Sequence, residues 1–200
     1  MANDDRSDPR CDADRLVVRA RTDRESFGQL YDLYYDRIFR YCVRRLFRRC
    51  AAEDACSEVF LYVAGHLRQF RGTTECEFRC WLYGIATNTI NAQVRRTRRR
   101  DELLRDAAER DALRTSDVVD SRPNIESLDW PLLYQTIAQL ELRDQTIVTL
   151  RFFEEMSHNE IAATLDMRPG AVRVALGRAL EKLRRQLAAY EEAPKAPRFE

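Results

Sequence analysis

Residues 157–187 read SHNEIAATLDMRPGAVRVALGRALEKLRRQL, and few folds accommodate that pattern. Ser157 and Glu160 have the spacing of a capping box, in which each side chain satisfies a free N–H of a helix start. Ile161, Ala162 and Leu165 give that helix one apolar face. Asp166, Met167 and Arg168 form a turn. Pro169 then stands at the start of a second helix, where its missing N–H does no harm. Val172, Leu176, Ala179, Leu180 and Leu183 continue as an apolar stripe. Arg173, Arg178, Lys182, Arg184 and Arg185 decorate the outer surface. A short helix, a tight turn and a basic second helix form a helix-turn-helix, the geometry that places side chains in a major groove. The pattern predicts a DNA-binding protein.

The rest of the chain is also helical in its periodicity, with no alternating strand pattern. Residues 1–22 are polar and charged and predict a mobile tail. From Asp23, Phe27, Leu30, Tyr31, Tyr34, Ile38, Tyr41 or Cys42, and Leu46 recur at helical spacing. A second helix fits 53–68, with Ala55, Val59, Phe60, Val63 and Leu67 inward. The sequence around Gly72 breaks it, and Thr74 and Glu77 form another capping box. A third helix runs from about Cys76 to Arg99 and buries Phe78, Trp81, Leu82, Ile85 and Val94. Residues 101–130 hold nine acids against four bases. As a coil such a segment reaches roughly 30 Å on average and about 100 Å fully extended. Beyond it, Leu132, Leu133, Ile137 and Leu140 mark one helix, and Asp144 is placed to cap the next. The predicted fold is all-α: a tail (1–22), a helical domain (23–100), an acidic linker (101–130), a helix-turn-helix domain (131–190) and a C-terminal tail (191–200).

Composition narrows the chemistry. The net charge is only +1, but 32 of the 34 basic residues are arginine, whose planar fork suits phosphate and guanine edges. Six cysteines and two histidines show no CxxC pair. Cys76 and Cys80 would stack on one helix face without further ligands in a familiar spacing, so no metal is expected. No nucleophile–base pair or phosphate-binding glycine loop is visible, so neither an enzyme nor a cofactor is expected. The absence of a signal peptide or an apolar run able to span a bilayer predicts a cytoplasmic protein without membrane insertion.

Three further segments carry functional character. Residues 95–100 read RRTRRR and follow Asn88, Thr89, Asn91 and Gln93 on one helix, which suits backbone and base contact with DNA. Around residues 70–83, aromatic side chains alternate with Arg71 and Arg79. Phe78 and Trp81 read as core, and the loop from Arg71 to Glu77 as a place to hold unpaired bases. On the second helix, Glu53, Asp54 and Glu58 border Val59, Phe60 and Tyr62, a face able to dock a basic partner.

In this order the elements resemble the sigma-70 family, specifically its small two-domain extracytoplasmic-function members. AEDACSEVFLYVAGHLRQF (52–70) is similar to the segment that docks on core RNA polymerase. FRCWLYGIATNTINAQVRRTRRR (78–100) is similar to the segment that melts the minus-ten promoter element. The helix-turn-helix is similar to the region that reads the minus-thirty-five element. The resemblance implies polymerase contacts at Asp54, Glu58, Val59 and Phe60. It implies minus-ten contacts at Arg71, Thr73, Thr74, Asn88, Arg95, Arg96, Arg98 and Arg99. It implies minus-thirty-five contacts at Arg168, Arg173, Val174, Gly177, Arg178 and Lys182. It also implies promoter DNA, core RNA polymerase and an anti-sigma factor as partners, and a monomer when free. The chain departs from the family pattern at several places. Asp166 replaces a usual Gly, which a left-handed turn tolerates from Asp. Arg168 replaces Ser, Ala171 replaces Thr, and Ser57 replaces Gln. Val174, Ala175 and Gly177 stand where polar or basic residues are common, which leaves fewer donors for base edges. The rival reading is a stand-alone helix-turn-helix regulator that binds an operator as a dimer; a signalling adaptor is a third.

Overall fold

The computed structural model describes residues 9–108 and 130–192. They form α1 (Pro9–Arg19), α2 (Arg24–Leu46), α3 (Arg49–His66), a 3-10 turn (Leu67–Gln69), α4 (Glu75–Ala108), α5 (Trp130–Ala138), α6 (Leu142–Phe152), α7 (His158–Leu165) and α8 (Pro169–Glu192). There is no strand among the described residues. Residues 1–8, 109–129 and 193–200, including most of the expected linker and the C-terminal tail, lie outside the described residues.

The first bundle follows from its stripes. On α2, Leu30, Tyr34, Ile38, Tyr41 and Cys42 are buried at three- and four-residue spacing. On α3, Ala52, Ala55, Cys56, Val59 and Val63 face them, and on α4 Phe78, Leu82, Ala86 and Ile90 close the core. Tyr41 and Thr87 share a buried hydroxyl hydrogen bond of 2.8 Å, so the two polar groups inside the core satisfy each other. Asp23 caps α2 by accepting from the Ser26 N–H at 2.9 Å. In place of the mobile tail expected for 1–22, residues 9–19 form a helix whose Val17 is fully buried, with Ala20 beside it. Three apolar positions, Leu16, Val17 and Ala20, were enough to seat it.

The second bundle wraps α5, α6 and α7 around the stripe of α8, where Val172, Ala175, Leu176, Ala179 and Leu183 are buried. Asp144 is not a cap. Glu141 is the N-cap residue of α6, and Asp144 is the third residue of its first turn, its side chain 7% exposed and 3.4 Å from the Lys182 ammonium. That ion pair ties α6 to α8 instead.

The two bundles meet along a polar seam. Arg45, 3% exposed at the end of the α2 stripe, donates to the Gln145 side-chain oxygen, to Asn91 Oδ1 at 3.0 Å and to the Leu142 carbonyl at 3.3 Å. Burial pushes its pKa below the ordinary arginine range. Glu154 accepts from Arg44 at 3.0 Å and from the Tyr83 hydroxyl. Burial, which outweighs these partners, raises the Glu154 carboxyl above its usual range and the Tyr83 phenol well above its own. The Arg44 guanidinium also lies 4.9 Å over the Phe153 ring. Arg79 on α4 pairs with Glu160 on α7. Removing the Arg45 fork should leave two amide oxygens without their charged donor, at a cost of about 1.5–3 kcal/mol. Arg45→Ala should therefore loosen the seam and raise the radius of gyration in small-angle X-ray scattering, with helix content by circular dichroism unchanged.

Candidate nucleic-acid and polymerase interface

The helix-turn-helix is built as its local chemistry dictates. Ser157 Oγ accepts from the Glu160 N–H at 3.2 Å, and the Glu160 carboxylate accepts from the Ser157 N–H at 2.7 Å. Asp166 ends α7 in the left-handed conformation (φ 50°, ψ 51°), and its N–H donates to the Ala162 carbonyl. The aspartate thus does the turn's work in place of glycine. Pro169 opens α8.

On α8, Arg173, Gly177 and Arg178 are exposed, and Val174 is 54% exposed. Arg168 in the turn is exposed as well. These five residues form one outward face, and a Cβ at Gly177 would meet nothing within 4 Å. Lys182 belongs elsewhere, because its ammonium is committed to the buried Asp144. The face holds three arginines with an apolar and a bare position between them, so charge dominates over hydrogen-bonding variety.

The start of α4 is also capped as its sequence predicts. The Glu77 N–H donates to Thr74 Oγ1 at 3.2 Å, and Glu77 Oε2 accepts from the Thr73 and Thr74 N–H groups at 2.9 and 3.1 Å. The Thr73 N–H, the Thr74 hydroxyl and the Thr74 N–H together hold the Glu77 carboxyl below its usual range. The Thr74 hydroxyl is therefore occupied by the cap, whereas Arg71 and Thr73 project from the loop into solvent. Farther along α4, Asn88, Arg95, Arg96, Arg98 and Arg99 are exposed. Two other polar residues of this helix turn inward: Asn91 meets Arg45, and the Gln93 side chain donates to the Ala51 carbonyl at 3.3 Å. Of the aromatic group, Phe78 and Tyr83 are core, and Trp81 is half-buried in a stack on Phe70 at 4.9 Å.

On α3 the carboxylates of Asp54 and Glu58 are exposed, and Arg96 of α4 reaches to 3.8 Å from Glu58. Val59 is fully buried and Phe60 is 7% exposed, so neither presents its side chain to a partner. Both fall on the inward stripe with Ala55, Cys56 and Val63, and Phe60 packs edge-on against Tyr31 at 4.7 Å. The apolar part of this surface is instead Leu61, 75% exposed, and Tyr62, 47% exposed and stacked on His66. Leu61 was legible in principle. Four consecutive apolar residues from Phe60 to Val63 cannot all face inward on one helix. Among the described residues no group of histidine, cysteine and carboxylate side chains could hold a metal ion, and no helix is long and apolar enough to cross a membrane. All six cysteines are free thiols.

A helix-turn-helix domain with an arginine face, joined to a helical bundle with an arginine row beside an acidic and apolar ridge, has the build of a two-domain DNA-binding protein. Family models match both halves: Sigma-70 region 2 over residues 30–100 and Sigma-70, region 4 over residues 131–183. The RNA polymerase sigma-H factor of Pseudomonas aeruginosa is 33% identical over 184 residues, covering 86% of this chain and 92% of that protein. The ECF RNA polymerase sigma factor BldN of Streptomyces coelicolor is 32% identical over 177 residues, covering 86% of this chain, which spans 64% of that longer relative. In fold, the chain is similar to the sigma factor RpoE of Bartonella quintana, solved with the anti-sigma factor NepR (TM-score 0.67, 18% identity, 82% of this chain and 98% of that one). The chain belongs to the sigma-70 family, in its extracytoplasmic-function group.

Two substitutions test the recognition unit without touching DNA. Asp166→Val places a branched side chain in a left-handed residue and should destabilise the second bundle by about 1–2 kcal/mol. Gly177→Ala, on an exposed helix position with open space, should stabilise it by about 1 kcal/mol. Thermal unfolding followed by circular dichroism checks both signs.

Proposed function

We propose that this chain is an alternative sigma factor that directs core RNA polymerase to specific promoters and helps to open them. The observation that carries the reading is the adjacency of α3 and α4. One bundle presents Asp54, Glu58, Leu61 and Tyr62 on one helix and an arginine row on the next, bridged by Arg96 and Glu58. The first surface suits a basic groove on a protein, the second a DNA backbone.

In this reading Asp54 and Glu58 dock on core polymerase through charge, with Leu61 and Tyr62 as the desolvated contact. Val59 and Phe60 act by holding α3 in register. Arg95, Arg96, Arg98 and Arg99 follow the strand backbone at the minus-ten element, Asn88 faces its bases, and the loop carrying Arg71 and Thr73 holds an unpaired base. Thr74 shapes that loop through its cap. Arg168, Arg173 and Arg178 contact the minus-thirty-five duplex across the open surface of Val174 and Gly177. Lys182 braces α8 rather than the DNA. The chain supplies no chemistry of its own, and polymerisation belongs to core polymerase.

In this reading the two bundles part to reach two promoter elements, and the 21 residues between Ala108 and Trp130 allow a separation of at most about 70 Å. Hydrogen bonds and ion pairs line the seam, and water can replace them at modest net cost. The protein acts in the cytoplasm and is a monomer when free. An anti-sigma factor completes the set of partners, as in the Bartonella structure.

A stand-alone regulator would need none of the α3 surface. Asp54→Lys with Glu58→Lys should therefore weaken binding to core polymerase at least tenfold, about 1.4 kcal/mol, in a fluorescence titration while leaving duplex binding intact. Unchanged affinity for core polymerase would remove this assignment. On duplex DNA, Arg173→Ala and Arg178→Ala should each cost roughly 1–3 kcal/mol if bidentate to a guanine. The same loss on every sequence would mark them as phosphate contacts.

A further inference from the structure

The loop between the 3-10 turn and α4 does not stand alone. It is tied at two points to α1 and the turn that follows it. Asp14 Oδ1 accepts from the N–H of Glu75, the first residue of α4, at 2.6 Å. Arg21 donates through Nη2 to the Gly72 carbonyl, and its guanidinium lies 5.6 Å from the centre of the Phe70 ring. The ring also rests on Trp81, stacked at 4.9 Å, and on Phe78, edge-on at 5.9 Å. Gly72 is wedged between: a Cβ there would collide with the Phe70 ring and come within 2.9 Å of Glu77 Cβ. The two ties bracket Thr73 and Thr74, whose N–H groups are held from the opposite side by Glu77. The backbone of 72–75 is thus fixed from both directions, while Arg71 and Thr73 keep their side chains free.

We propose that Asp14 and Arg21 are positioning residues for base selection, holding loop 71–74 in the shape that grips an unpaired promoter base. The inference rests on the minus-ten role proposed for that loop. A mobile loop can reshape around whichever base enters, so a wrong base recovers part of the contacts it should lose. A loop held in one shape cannot adapt, and a wrong base then leaves its donors and acceptors unpaired. Each tie has a chemical reason to be there. The Asp14 carboxylate occupies the positive start of α4, satisfying an N–H that a DNA phosphate would otherwise attract. The Arg21 fork binds a carbonyl and covers an aromatic face at once, which a lysine ammonium does less well.

The test is selection of a randomised single-stranded DNA library by the holoenzyme of the full chain and core RNA polymerase. Wild type should show one most selective position. Asp14→Ala and Arg21→Ala should each flatten the best-to-worst base ratio at that position about fivefold, the scale of one lost hydrogen bond. Other positions should keep their ratios. Asp14→Asn, which retains an acceptor, should restore most of the selectivity, and Arg21→Lys only part of it. Merely lowering the folded fraction would reduce total binding without changing a ratio. Arg71→Ala and Thr73→Ala separate the two levels of the argument. If they flatten the position and the Asp14 and Arg21 variants do not, the positioning role is wrong. If none of the four does, the loop itself is not the base site and the inference falls with it.

Discussion

A guanidinium removed from water needs every donor it can place, and Arg45 finds its acceptors in both bundles. Gln145 and the Leu142 carbonyl come from α6, and Asn91 comes from α4. All of these acceptors are neutral, so no counter-charge offsets the desolvation that lowers the Arg45 pKa. Such a centre specifies one arrangement of its neighbours, because any other leaves the charge stranded. It also makes the arrangement reversible. When the seam opens, water can solvate Arg45 and the amides it held. The same holds for Glu154 between Arg44 and Tyr83, and for Glu160 against Arg79.

α4 is the element on which these constraints converge. Its start is fixed by Asp14, Thr74 and Glu77. Its inner face supplies Phe78, Leu82, Ala86 and Ile90 to the first core. Arg79 and Tyr83 reach the second bundle, Asn91 meets Arg45 at the seam, and Arg95, Arg96, Arg98 and Arg99 look to solvent. One helix therefore joins the proposed promoter contacts to the seam. Glu160 plays a matching double part on α7, capping the helix-turn-helix and pairing with Arg79.

Much of this was legible from local rules. Both capping boxes, the proline start of α8 and the exposed arginines follow from residue type and spacing alone, and the left-handed Asp166 from comparison with the family's usual glycine. What escaped depends on tertiary neighbours. The helical stripe already turns Val59 and Phe60 inward, and it is the family resemblance that makes them contacts; the exposed apolar residue is Leu61. Asp144 has the chemistry of a cap but stands three residues after the N-cap Glu141, where it meets Lys182. Asn91 looks like a DNA contact until Arg45 is seen beside it. Residues 9–19 lack a long stripe, and their helix becomes visible only once Val17 and Asp14 find partners on the first bundle. Arg45 itself falls on the α2 stripe, and an arginine at a core position of the pattern was the available sign of a seam.

The central claim is that the two bundles serve one act, the choice of a promoter by polymerase. Run-off transcription measures it most directly, using purified core RNA polymerase and templates bearing a promoter selected by the holoenzyme. The account predicts a transcript of defined length that depends on the added chain, on core polymerase and on both promoter elements. No promoter-dependent transcript, together with tight duplex binding by the chain alone, would contradict it.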